Sequence, residues 1–179
     1  MRYTSRLIAL SIAMLLSASA LAWDPDEVGE LNEKAMEAKS EMLTDDSKMQ
    51  RFFDTANAYV IIPTVGKAGF GIGGARGKGL LYEGGQPTAI VTLTQLTVGF
   101  QWGGQAYSEF LFFKEARDTD DFKRGNYELG AQASAVAVTA GVSADANYTN
   151  GVAIFTRAKG GLMYEASVGG QKFSVKTPE

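Results

Sequence analysis

The sequence has no cysteine and no histidine in its 179 residues. Without cysteine there are no disulfides, no thiolate nucleophile and no zinc–thiolate site. Without histidine, the commonest general base, the commonest metal ligand and the Ser-His and Cys-His pairs are lost together. Only chemistry built on carboxylates or lysine is left, so the chain reads as a non-enzyme with no cofactor and no metal. Basic excess is missing too: 17 Lys and Arg face 20 Asp and Glu, a net charge of −3. A general nucleic-acid binder would carry a strongly basic footprint. Beyond the N-terminal residues, no apolar run is long enough to span a membrane as a helix.

What is present begins with "MRYTSRLIALSIAMLLSASALA". Arg2 and Arg6 precede an apolar run, Leu7 to Leu16, and Ala20-Leu21-Ala22 has the A-x-A form of a cleavage site. This is the pattern of a secretory signal peptide of bacterial type. No cysteine follows the run to take a lipid anchor. The expectation is that residues 1–22 are removed and the product is periplasmic or exported, at most peripheral on a membrane. The sequence after Ala22 suits one domain with a real core.

Charge is segregated in that domain. Residues 23–54 hold ten acids against four bases, and residues 55–179 hold ten acids against eleven bases. The acidic segment, 23–55, reads as helical. Asp24-Pro25-Asp26-Glu27 is a start signal, with Asp as N-cap and Pro at the first helical position. Val28, Leu31, Ala35, Ala38 and Met42 recur at steps of three and four and make one apolar stripe. Glu30, Glu33, Glu37 and Glu41 occupy much of the rest. The run "TDDS" breaks the helix and can cap a short second one bearing Met49, Phe52, Phe53 and Ala56. Helices that lie in membrane surfaces are usually lysine-rich on the polar face, and this one is acidic. It is therefore expected to pack on the body of the domain.

From Tyr59 the period changes to two. "AYVIIPTV" is an apolar strand whose Pro63 implies an edge or a bulge. Leu96, Val98, Phe100 and Trp102 alternate with small or polar residues, and "YSEFLFF" is a further strand. "KEARDTDDFKRG" reads as a short helix ending at Gly125. Two more small-residue strand regions follow, around Leu129–Val142 and Val152–Val175. The fold class is α+β and mostly antiparallel β: a strongly curved or barrel-like glycine-rich sheet with N-terminal helices and one short internal helix. Residues 23–55 and 56–179 form one domain.

The stretch "KAGFGIGGARGKG", Lys67 to Gly79, contains G-x-G-x-x-G. A dinucleotide turn needs those glycines to open a helix, with an acid about twenty residues on. Here "GLLYEGGQP" runs into a turn, so a nucleotide site is excluded. Read as a strand, Gly69, Gly71, Gly73, Ala75, Gly77 and Gly79 form one nearly bare face that lets another backbone or a helix approach closely. Ala131, Ala133, Ala135, Ala137, Thr139 and Gly141 form a second such face, and Gly161, Ser167 and Gly169 hint at a third. On the opposite face of the first stretch Arg76 and Lys78 point the same way. Arg157 and Lys159 repeat the two-residue spacing, with Lys172 and Lys176 beyond. If these strands are neighbours they make a basic patch suited to phosphate head groups. The pairs Asp45/Asp46 and Asp120/Asp121 read as cap or turn residues. Glu109 and Glu165 are isolated acids that make a catalytic pair only if the fold brings them together.

"AYVIIPTVGKAGFGIGGARGKGLL", "TVGFQWGGQAYSEFLFF", "DDFKRGNYELGAQASAVAV" and "AKGGLMYEASVGGQKF" resemble, in order, successive blocks of the SYLF family of lipid-binding domains. The resemblance runs from about Ala56 to Phe173. It implies a β-rich domain with flanking helices that associates with phospholipid surfaces, and eukaryotic members bind phosphoinositides and, in yeast, actin. Members are thought to use an amphipathic N-terminal helix, from which the acidic helix here departs. The family's leucine-glutamate-glycine-threonine-lysine run is Val168-Gly169-Gly170-Gln171-Lys172 in this chain, which keeps only the lysine of its charged pair. The resulting expectation is non-enzymatic, peripheral binding of anionic phospholipid in the bacterial envelope. Arg76 and Lys78 lead the contact, supported by Lys67, Arg157, Lys159 and Lys172. Two other readings stay open on sequence alone: an envelope structural or protein-interaction module using the sheet edge near Pro63, and a small outer-membrane β-barrel.

Overall fold

The computed structural model describes residues 24–99, 105–125, 127–130, 135–138, 146–159 and 168–178. Helix α1 spans Pro25–Asp45. The Asp24 carboxylate accepts a hydrogen bond from the Asp26 N–H at 3.0 Å. Pro25 fills the first turn, where its missing N–H is not needed. At Asp46 the backbone turns extended, and its carboxylate accepts from the Lys48 N–H at 3.0 Å. That cap starts a single 3-10 turn, Ser47–Met49, which leads into α2, Gln50–Thr55. The break at "TDDS" thus falls where the sequence places it.

The strands are β1 (Ala58–Glu83), β2 (Gln86–Gly99), β3 (Gln105–Phe113), β4 (Tyr127–Glu128), β5 (Val136–Ala137), β6 (Val152–Ala158) and β7 (Lys172–Lys176), with helix α3 (Ala116–Lys123) after β3. They form one sheet in the order β4-β7-β2-β1-β3-β6-β5. Every described pairing is antiparallel except β5 with β6. The sheet is strongly curled into a half-barrel, as the sequence suggested. A tight turn joins β1 to β2, with Gly84 and Gly85 at φ of +59° and +79°, values that favour glycine and match the twist of a hairpin. The small-residue positions Ala131, Ala133, Thr139, Gly141, Gly161 and Ser167 lie outside the described residues, as does Glu165.

β1 carries the curl. Its first part, 58–67, pairs with β3, and its second part, 71–83, pairs with β2. The ladder with β3 slips between Ile62 and Val65, where Pro63 has no N–H to give it. Pro63 is buried, and its carbonyl accepts from the Ser108 hydroxyl at 2.9 Å. Of the edge or bulge expected there, the structure has the bulge, and the sheet edge near Pro63 that a docking module would use does not exist, since β1 lies between β2 and β3.

The bare face of β1 receives a backbone, and that backbone is its own. A β-carbon placed on Gly79 would sit 2.1 Å from the Ile61 carbonyl oxygen, and one on Gly77 would sit 2.7 Å from the Ile62 side chain. The second half of the strand thus lies directly against the first. Tyr59 and Tyr82 stack across the same fold-back, with ring centroids 5.1 Å apart.

Each face of the sheet carries a buried core cluster. The inner face gathers Val60, Ile62, Leu81, Val91, Leu93, Leu111 and Phe113, closed by Phe122 of α3 and Phe173 of β7. The outer face gathers Tyr59, Ile61, Leu80, Tyr82, Phe110, Phe112 and Phe155 under Ala35, Ala38, Met42, Phe52 and Phe53 of the N-terminal helices. The acidic helix packs on the body, as its polar face implied. A membrane-spanning barrel would turn to lipid the face that α1 and α2 cover here.

Candidate cationic surface

The ladders order the outer face of β1, β2 and β7 row by row. Opposite residues in an antiparallel pair share a face. Leu80 stands opposite Ile90, and both are buried beneath α1. One row on, Lys78 faces Thr92, which faces Ser174. The next row is Arg76, Thr94 and Lys172, all three exposed. Arg76 and Lys172 flank a single strand, so their α-carbons are about 10 Å apart. Beyond them lies Gly74 opposite Leu96.

The structure therefore joins three of the six expected cations, Arg76, Lys78 and Lys172, on one face. It separates the other three. Lys67 shares the inner face of β1 with Val65 by the two-residue period, and burial lowers its pKa. Arg157 lies on β6, two strands from β1. Lys159, just past the end of β6, donates to the Thr64 hydroxyl at 3.1 Å. Of the expected patch of six, three cations are thus neighbours, while Arg157 and Lys159 stand apart at β6 and Lys67 lies on the inner face. Sequence spacing could not show that β3 stands between β1 and β6.

Two of the six are engaged by the acidic helix. Lys78 forms an ion pair with Glu27 in the first turn of α1. Arg157 bonds Glu41 at 2.8 Å and Asp45 at 2.6 Å in the last turns. Its side chain is 20% exposed, which shields the pair from screening. These contacts lie about 20 Å apart along the helix and fix its two ends. Lys172 meets Glu128 at 3.4 Å, with both side chains more than half exposed. Such a pair is worth little and exchanges readily. Arg76 makes no ion pair among the described residues.

The inner face holds an unexpected polar group. Glu109 is fully buried, and its Oε2 accepts from the Gln171 Nε2–H at 2.9 Å. Burial pushes its pKa up to about 8, against the opposing hydrogen bonds from Gln171 and Tyr107. It is kept protonated at neutral pH. Thr156 stands opposite it on β6 and is also buried. Among the described residues no group of three or more acidic side chains gathers as a metal site. Leu96 is the feature the sequence hid: it belongs to an alternating apolar run that reads as core, yet it is 87% exposed.

Fold and surface define a helix-backed, curled, mostly antiparallel sheet domain with cations clustered on its outer face. Residues 94–179 match the family model described as Ysc84, Las17-binding protein actin regulator. That match, over just under half of the chain, agrees with the resemblance of its sequence blocks to the SYLF family. A search of curated proteins gives no match.

Proposed function

We propose that the protein binds anionic phospholipid surfaces peripherally and without catalysis, in the bacterial envelope after export, through the outer face of β1, β2 and β7. The observation that carries this reading is the exposed row of Arg76 and Lys172, with Lys78 one row behind. Each such cation near an anionic surface contributes about 1 kcal/mol. Three give reversible attachment that weakens as salt screens it. Lys159 and Lys67 are secondary, and Arg157 positions α1. The resemblance of the sequence blocks to lipid-binding domains supports this role, and the near-neutral charge of residues 55–179 makes the clustering of these cations on one face matter. The test is flotation of the protein from Trp23 onward with vesicles of phosphatidylcholine alone or mixed with phosphatidylglycerol. Binding is expected only to the anionic vesicles and is expected to fall as salt is raised. Equal binding to both, or none to either, overturns the reading.

A further inference from the structure

The row of Arg76, Thr94 and Lys172 runs on into a fourth strand, where Glu128 of β4 stands opposite Lys172. The adjacent strands β1, β2, β7 and β4 thus present, in order, a guanidinium, a hydroxyl, an ammonium and a carboxylate. All four residues are exposed. The direction of Glu128 follows from its neighbour. Tyr127 lies opposite Phe173 and packs with it on the inner core, so Glu128 and Lys172 turn to the outer face. Their side chains meet at 3.4 Å and stay 53% and 67% exposed.

The change of sign within the row bears on the head group it suits. A surface of phosphates alone draws Lys172 away and leaves the Glu128 carboxylate unpaired beside like charge, which is unfavourable. A head group with an ammonium next to its phosphate avoids that cost. The phosphate takes the place of Glu128 on Lys172, and the ammonium takes the place of Lys172 on Glu128. Both side chains then keep a partner of opposite sign. Neighbouring strands are about 4.8 Å apart, and the short arm between phosphate and nitrogen in ethanolamine spans about the same distance. Choline has the same arm, but its quaternary nitrogen has no N–H to give a carboxylate. Only a primary ammonium makes the stronger, charge-assisted hydrogen bond.

We infer that Glu128 selects the head group: phosphate meets Arg76 and Lys172 while a primary ammonium meets Glu128, so among anionic membranes the protein prefers those that also hold ethanolamine phospholipid. This rests on the anionic-lipid reading above and deepens it by naming a second lipid class. The occupant is a membrane because each exposed contact is worth little alone. A membrane presents phosphates and ammonium groups together, along this row and to Lys78 in the row beside it.

The test is flotation with vesicles holding phosphatidylglycerol at one fixed fraction, the remainder being either phosphatidylcholine or phosphatidylethanolamine. The vesicle charge is then equal. Wild type should bind the ethanolamine mixture about threefold more tightly. Glu128→Gln keeps the side-chain shape and removes the charge. It should bind the choline mixture more tightly than wild type does and lose the preference. Glu33→Gln, an equal change of charge on the exposed side of α1, should keep the preference. A preference that survives in Glu128→Gln arises from the packing of the bilayer and overturns the inference. Equal binding of wild type to both mixtures overturns the inference and leaves the anionic-lipid reading standing. No flotation with either mixture overturns both.

Discussion

Single residues decide the two least forgiving points of this fold. At Gly79 an added β-carbon would lie 2.1 Å from a backbone oxygen, whereas at Gly66 it would meet nothing within 4 Å. Gly79→Ala should cost about 1–3 kcal/mol or prevent folding, because the neighbour is backbone and cannot swing away. Gly66→Ala should stay within about 0.5 kcal/mol, and urea denaturation compares them. Glu109 sets a pH dependence. Its pKa is about 8 in the folded protein and near 4.3 in an unfolded chain. Between those values the unfolded state releases a proton that the folded state keeps. Stability from this group therefore falls as pH rises from about 5 to about 8, then levels off. Glu109→Gln preserves the neutral shape and removes the titration. Its melting temperature should gain on wild type steadily over that range, and a constant gap would contradict a buried, protonated Glu109. The glycines were legible as a bare strand face because parity alone reveals it. Their partner was not, since no local pattern shows that β1 folds onto itself. Glu109 read as an isolated strand acid because burial is a tertiary property.

At the scale of elements, α1 is held by an apolar stripe and by charge at each end. The stripe was legible residue by residue, since Val28, Ala35, Ala38 and Met42 are all buried. The charges were not, because Glu27 and Lys78 are separated by 51 residues and Asp45 and Arg157 by 112. These contributions differ in size. Met42 is fully buried, so Met42→Ala should cost about 2–5 kcal/mol. Lys78 and Glu27 are partly exposed, so Lys78→Ala should cost about 0–1 kcal/mol. Arg157→Ala leaves Glu41 and Asp45 without their cation and should free the C-terminal end of α1. Limited proteolysis should then cut near residues 44–48 faster in Arg157→Ala than in Lys78→Ala. Equal rates would mean that the stripe alone holds the helix.

For the whole molecule, the acidic helix and the basic face are two parts of one charge distribution. α1 takes up Arg157 and Lys78 and leaves Arg76 and Lys172 facing outward, which gives a protein of net negative charge one cationic face. The sequence indicated the cations and the face of β1 they occupy. The order of strands, which brings Lys172 beside Arg76 and carries Arg157 away, comes from pairings distant in the chain. The decisive measurement is flotation with phosphatidylglycerol vesicles of two variants that change net charge equally, Arg76→Glu/Lys172→Glu and Lys114→Glu/Arg117→Glu. The first should bind on the order of tenfold more weakly or worse than wild type, and the second should bind nearly as wild type does. Equal loss in both would show that overall charge governs binding and that this face of the sheet does not make the contact.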